Sequence, residues 1–226
     1  MLVKNWMNRI VFTIDMNEPM TMAMRLMKQH KVKVLPVVEK EKLIGIISNG
    51  DIKRASASEA TTLDIHELAY LIDQIKVGDI MTNHVVTVSP LLTIDEVAEI
   101  MMEKNISSIP VLDENKKIIG IVTETDILKV LISLTGMERR GVDFGIEVAD
   151  EPGSIKTLTD QIRASGGRIS SILISYEQAP VGFRSVYVRV YQINHAQLGT
   201  LKQQLMKQTK LLYMLDFLNN NREIYA

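Results

Sequence analysis

The sequence predicts a mixed α+β chain in which two copies of a small strand–helix–strand–strand–helix unit precede a separate β-α-β-β-α-β domain. Two observations carry this. The first is an internal repeat. With an offset of 74, Val11 meets Val85, Thr13 meets Thr87, Met27 meets Met101 and Pro36-Val37 meets Pro110-Val111. One extra residue in the second copy's 113–117 turn shifts the offset to 75. Gly45-Ile46-Ile47-Ser48 then meets Gly120-Ile121-Val122-Thr123, and Asp51-Ile52 meets Asp126-Ile127. Chance does not hold such a register with a single loop insertion. The second observation is a change of texture beyond residue 141, where alternating strands replace the repeated pattern.

Each copy reads alike. Met20, Ala23, Met24 and Met27 recur at helical spacing in the first copy, and Ile94, Val97, Ala98, Met101 and Met102 do so after Thr93 in the second. Two short apolar runs joined by a charged turn follow, 34–38 and 43–47 or 109–112 and 118–122, which read as hairpins. Ser48-Asn49-Gly50-Asp51 and Thr123-Glu124-Thr125-Asp126 then supply helix-starting residue types. Between the copies, Ala55-Ser56-Ala57-Ser58 reads as a loop. Leu63, His66-Glu67-Leu68 and Leu71-Ile72 read as an amphipathic helix. The expected segments are 1–54, 55–76 (connection), 77–132, 133–140 (linker), 141–219 and 220–226 (tail).

In the last third, Val142, Phe144, Ile146 and Val148 alternate with Asp143, Gly145, Glu147 and Ala149, a half-buried strand. Asp150-Glu151-Pro152-Gly153 makes a turn into a helix whose apolar face is Ile155, Leu158 and Ile162, ended by Gly166-Gly167. Strands follow at 169–176 and around Val186, Val188 and Val190, then a helix at 195–207 and a strand at 211–217. This order is a ferredoxin-like arrangement. Arg139-Arg140 reads as a solvated linker end.

Composition narrows the function. The chain has 226 residues, 46% hydrophobic and 23% charged, with a net charge of −1, as expected of a soluble globular protein. A near-neutral balance argues against general nucleic-acid binding, which draws on a positive field. No run of 18 apolar residues is present, so no membrane span is expected. The N-terminus has no secretory apolar region, and the absence of cysteine excludes disulfides and thiolate chemistry. Both fit a cytoplasmic protein. His30, His66, His84 and His195 stand far apart and offer no metal-ligand spacing. Neither common phosphate-loop pattern occurs. No nucleophile–base pair or paired carboxylates can be named, so an enzyme is not expected and no cofactor is required. Met16 and Met22 fall off the helical stripe and serve either core packing or an adaptable partner surface.

The pattern Gly-hydrophobic-hydrophobic-Ser/Thr-x-x-Asp, preceded by hydrophobic-Pro-Val, resembles the CBS domain, and two copies resemble a CBS pair, or Bateman module. Asp79-Ile80-Met81-Thr82 resembles the opening segment of such a repeat. The resemblance covers residues 1 to about 132. It implies two repeats packed as a pair, with two clefts holding AMP, ADP, ATP or another adenosine derivative. Asp51 and Asp126 would bind ribose, with Ser48 and Thr123 near ribose or phosphate. Thr13, Leu35 and Pro36, and Thr87, Ile109 and Pro110, would line the base. Lys33 would pair with phosphate, where its counterpart Ser107 cannot. A helix N-terminus independently suits a phosphate. The same Ser, Thr and Asp residues are equally good caps, and that reading stays open.

Asp-x-Pro-Gly, then Gly-Gly and Ile-Ser-Ser-Ile, resembles the ACT domain over about 141–219. That resemblance implies edge-to-edge pairing and an amino-acid site shaped by Asp150, Pro152 and Gly153, which also suit a plain turn. The whole architecture resembles AcuB-type proteins associated with acetoin utilisation. Together these imply a homodimeric regulatory protein, paired through both parts, that senses an adenine nucleotide and acts on a partner. The alternatives are a dimerisation scaffold without nucleotide, or an amino-acid sensor.

Overall fold

The computed structural model describes residues 1–59 and 73–225, in two units, Met1–Leu128 and Lys129–Ala226. The connecting helix expected around Leu63, His66 and Leu71 lies outside the described residues.

The first unit holds both repeats as far as Leu128, within the last helix of repeat 2. In repeat 1, β1 (Ile14–Asp15) leads to α1 (Met20–His30), β2 (Val34–Glu39), β3 (Lys42–Ser48) and α2 (Asn49–Glu59). β1 pairs parallel to β2, with Ile14 opposite Val37, and β2 pairs antiparallel to β3, with Leu35 opposite Ile47. Repeat 2 contains α3 (Val77–Ile80), α4 (Ile94–Lys104), β4 (Ser108–Leu112), β5 (Ile118–Thr123) and α5 (Glu124–Leu134). Its first strand is reduced to one parallel bridge, Val88 to Val111. Ile109 pairs with Val122, matching Leu35 and Ile47. α4 starts on a capping box: Thr93 Oγ1 accepts the Glu96 amide at 3.4 Å, and Glu96 Oε2 accepts the Thr93 amide at 2.7 Å.

The core of repeat 1 gathers Met20, Ala23, Met27, Leu35, Val37, Ile47, Ile52 and Val77. Met16 and Met22 pack against it, which favours the packing role for both. The helical stripe is narrower than expected. Met24 is exposed, as is Met102 in repeat 2, because a short sheet is covered by the i, i+3, i+7 line alone. Residues 55–58 are helical, since α2 continues to Glu59. Alanine favours the helix, and the Ser56 hydroxyl donates to the Ile52 carbonyl at 2.9 Å instead of breaking it.

The repeats exchange their opening segments. Residues 1–8 open repeat 1 in sequence but dock on repeat 2: Val3 donates to the Leu92 carbonyl, Ile94 to Met1, and Asn8 bridges Ile121. Reciprocally, the segment opening repeat 2 docks on repeat 1. Met20 donates to the Ile75 carbonyl, Val77 to Glu18, Gly78 to Met16, and Thr82 bridges Ile46. Each exchange places a thioether on a glycine. A Cβ on Gly45 would stand 2.3 Å from Met81 Sδ, and one on Gly120 would stand 2.5 Å from Met7 Sδ. Glycine is required there by close approach, not by backbone angle.

The second unit contains β6 (Val142–Ala149), α6 (Ser154–Ala164), β7 (Arg168–Ser175), β8 (Phe183–Tyr191), α7 (His195–Gln208), β9 (Lys210–Asp216) and β10 (Asn221–Ile224). The strands form one antiparallel sheet in the order β10-β9-β6-β8-β7. Phe144, Ile146, Val186 and Val188 build the core with Leu158 and Ile162 of α6 and Leu201 and Leu205 of α7. β10 falls in the segment expected to be a tail. Asn220 takes a positive φ of 51°, and the chain folds back on β9. Met137, Glu138, Arg139 and Arg140 are exposed, as expected of a solvated linker end, although the segment makes two contacts with the sheet. Ser171 Oγ donates to the Thr135 carbonyl at 2.9 Å, and the Arg139 guanidinium lies 4.8 Å from the Tyr191 ring centroid. Across β6 and β8, Arg189 donates to Asp143 at 2.9 Å. Burial pushes the Asp143 carboxyl up, against the opposing pull of this partner.

The glycine contact sets an expectation. Gly45→Ala lowers stability by about 1–3 kcal/mol through overpacking, read by urea denaturation. Adding Met81→Ala recovers about 1 kcal/mol of that loss, a coupling expected of touching residues. Additive losses would show that the two side chains do not meet.

Candidate functional site

The two hairpins deliver equivalent groups to equivalent places. β3 ends at Ser48, opposite Val34 at the start of β2, and β5 ends at Thr123, opposite Ser108 at the start of β4. The chain then turns at once into a helix. The Asn49 amide donates to the Lys33 carbonyl at 3.0 Å, and the Glu124 amide to the Ser107 carbonyl at 3.1 Å. Each helix N-terminus is therefore anchored to the strand end that faces it.

At the first anchor, Asp51 Oδ2 accepts the Ser48 amide at 2.7 Å and the Ser48 hydroxyl at 2.6 Å, while the Asp51 amide donates to Ser48 Oγ at 3.3 Å. At the second, Asp126 Oδ2 accepts the Thr123 amide at 3.0 Å and hydroxyl at 2.7 Å, and the Asp126 amide donates to Thr123 Oγ1 at 3.4 Å. These are reciprocal caps of the kind that satisfy orphan amides at a helix start. Both aspartates are buried. The caps leave the first-turn amides of Gly50 and Thr125 unused, at the positive end of each helix dipole. Arg54 reaches back to Asp51 Oδ1, with its own side chain 75% exposed. Such an exposed arm is cheap to displace. The sequence points to the caps but not to Arg54, although Asp51-x-x-Arg54 places the two one helical turn apart.

The remaining expected residues divide. Thr13 precedes β1, whose Ile14 pairs with Val37, so it stands level with Pro36; Thr87 stands level with Pro110 by the same register. Both threonines are exposed, as is Lys33, whereas Leu35, Pro36, Ile109 and Pro110 are buried. Leu35 belongs to the core of repeat 1, and Ile109 is equally inaccessible. Their side chains define the sheet and are closed to a ligand in this conformation. Thr87 lines a different cleft, with Asn83 and Val85. The Lys33–Ser107 inequality stands: the first strand end carries a cation and the second does not.

In the second unit, Gly153 caps α6 with φ 92°, and nothing lies within 4 Å of where its Cβ would be. The backbone angle, not space, requires glycine. Asp150 is held by Arg184 at 3.1 Å, and Arg184 also donates to Ser154 Oγ at 2.9 Å. The Asp150 carboxylate thus fastens the turn to β8. Among the described residues, no group of three or more His, Asp or Glu is placed to hold a metal ion. No helix among them is long and apolar enough to cross a membrane.

Residues 3–58 and 77–133 match the family model of the CBS domain. The uncharacterised protein MJ1426 of Methanocaldococcus jannaschii is 32% identical, over 58% of this chain and 92% of that one. The CBS domain pair of protein MJ0100, crystallised with 5′-methylthioadenosine and S-adenosyl-L-methionine, is 30% identical with a TM-score of 0.50, covering 58% of this chain and 95% of that one. A putative acetoin utilisation protein (AcuB) from Vibrio cholerae has a TM-score of 0.52 at 24% identity, over 61% of this chain and 95% of that one, a likeness of fold.

The caps themselves are testable. Ser48→Ala and Thr123→Ala each lower stability by about 1 kcal/mol, measured by urea denaturation. Unchanged stability in both would remove the cap from the account.

Proposed function

Because the chain belongs to the CBS domain family, with two repeats that together span half of its length, we propose that it is a regulatory protein sensing an adenosine-containing ligand at its two capped helix starts. The observation that carries this reading is the repeated cap, which holds a buried carboxylate and unused first-turn amides at the end of each hairpin. A carboxylate has about four acceptor positions. Asp51 Oδ2 is committed to the cap, and Oδ1 can exchange the exposed Arg54 for the two hydroxyls of a ribose. The amides and Lys33 favour a phosphate or other anionic group beside the first cap; the second cap, without that lysine, favours a less charged adenosine derivative. The complex of the MJ0100 domain pair with two adenosine compounds supports this ligand class.

The C-terminal unit is taken as a ferredoxin-like domain of the ACT type, supported by its β-α-β-β-α-β order. Since Asp150 is engaged by Arg184, its turn serves structure rather than an amino-acid ligand. The protein acts as a homodimer. Leu128, Leu131 and Ile132 recur on one face of α5, each more than half exposed, an apolar stripe suited to a second copy. Ligand binding regulates a partner by favouring one arrangement of the pair, which requires unequal affinity for the two arrangements.

Calorimetric titration with AMP, ATP and S-adenosylmethionine tests the ligand class. Asp51→Asn and Asp126→Asn preserve the cap acceptor but weaken binding about tenfold or more. Failure of the folded wild type to bind any of them would exclude the reading. Leu131→Asp reduces the mass in sedimentation from two chains to one; a wild type that sediments as a single chain would remove the dimer.

A further inference from the structure

The turns of the two hairpins come together at a cleft of about 750 Å³ that shares only Thr87 with the expected nucleotide contacts. Lys40, Lys42, Lys116 and Lys117 line it, against one carboxylate, Glu41. All four lysines are exposed. Among the described residues none of them is in an ion pair. The nearby Asp113 is turned into its own loop, where Oδ1 accepts the Asn115 and Lys117 amides at 2.9 and 2.8 Å. The remaining walls are mixed, apolar from Leu43, Ile44, Val85 and Leu112 and polar from Asn83, Thr87 and Asn115.

The backbone at these turns runs against local preference. Lys40 and Glu41 both take positive φ, 48° and 66°, and Lys116 takes 60°. A two-residue hairpin of this type favours Asn-Gly, yet here it carries a cation and an anion at the mouth of the cleft. Glycine would suit the turn better and would leave the cleft less charged.

The geometry points to a second anion site at the hairpin turns, which takes a small organic polyphosphate. Lysine binds phosphate as a point charge, and several ammonium groups round one opening match a ligand carrying more than one phosphate. The apolar walls accept its uncharged part, and the volume lies within the usual range for such ligands. This site is separate from the helix caps and stands whether or not they bind adenosine.

The test uses the full chain and inorganic tripolyphosphate, which lacks any nucleoside, by calorimetry at about 0.15 M salt. The expected result is saturable binding, weakened about tenfold or more by Lys42→Gln combined with Lys117→Gln. Glu41→Gln, which removes the carboxylate that lines the cleft and keeps every lysine, tightens binding. Asp51→Asn and Asp126→Asn leave it unchanged. Absence of saturable binding, equal binding by the lysine variant, or loss in the aspartate variants would overturn the proposal, the last by placing the phosphates at the helix starts.

Discussion

The exchange of opening segments between the repeats is the contact on which the rest of the first unit depends. A unit of one short sheet and two helices has too little interior to be stable alone. Here each repeat completes the other. Met81 covers Gly45, Met7 covers Gly120, and the segments carrying them pair with Ile46 and Ile121. Both glycines lie at the middle of the strands that end in the capped helix starts. The packing that joins the repeats therefore also fixes where Ser48 and Thr123 stand.

That arrangement gives a physical basis for communication. Ile46, which bridges Thr82 of the second repeat, is two residues from Ser48; Ile121, which bridges Asn8, is two residues from Thr123. Each cap is thus connected to the opposite repeat through one strand and one bridge. Strands packed side chain on backbone transmit small displacements because interiors have few voids. The two strand ends are nevertheless unequal, since Lys33 anchors one helix start through its carbonyl and Ser107 the other.

Much of this was legible in the sequence. The repeat register located both hairpins and both caps, because a Gly-x-x-Ser/Thr-x-x-Asp spacing fixes strand end, N-cap and third helical residue together. The alternation in 142–149 and 186–190 located two strands of the C-terminal sheet. The exchange was not legible, because it joins segments that are distant in sequence and pairs each opening segment with the other repeat, although the equivalence of Met7 with Met81 and Gly45 with Gly120 was its trace. Loop-like composition misled at 55–58, where serine bonds back into the helix, and at 220–224, where a polar run forms an edge strand. The lysines at the hairpin turns looked like ordinary solvated turn residues; only the fold brings the two turns to one cleft.

The most direct test of ligand sensing at the caps is amide hydrogen exchange, with and without saturating S-adenosylmethionine or AMP. The account predicts slowed exchange at residues 48–52 and 123–127, greatest at the Gly50 and Thr125 amides that the caps leave unused. Protection confined to other segments, with exchange at both helix starts unchanged under saturation, would contradict it.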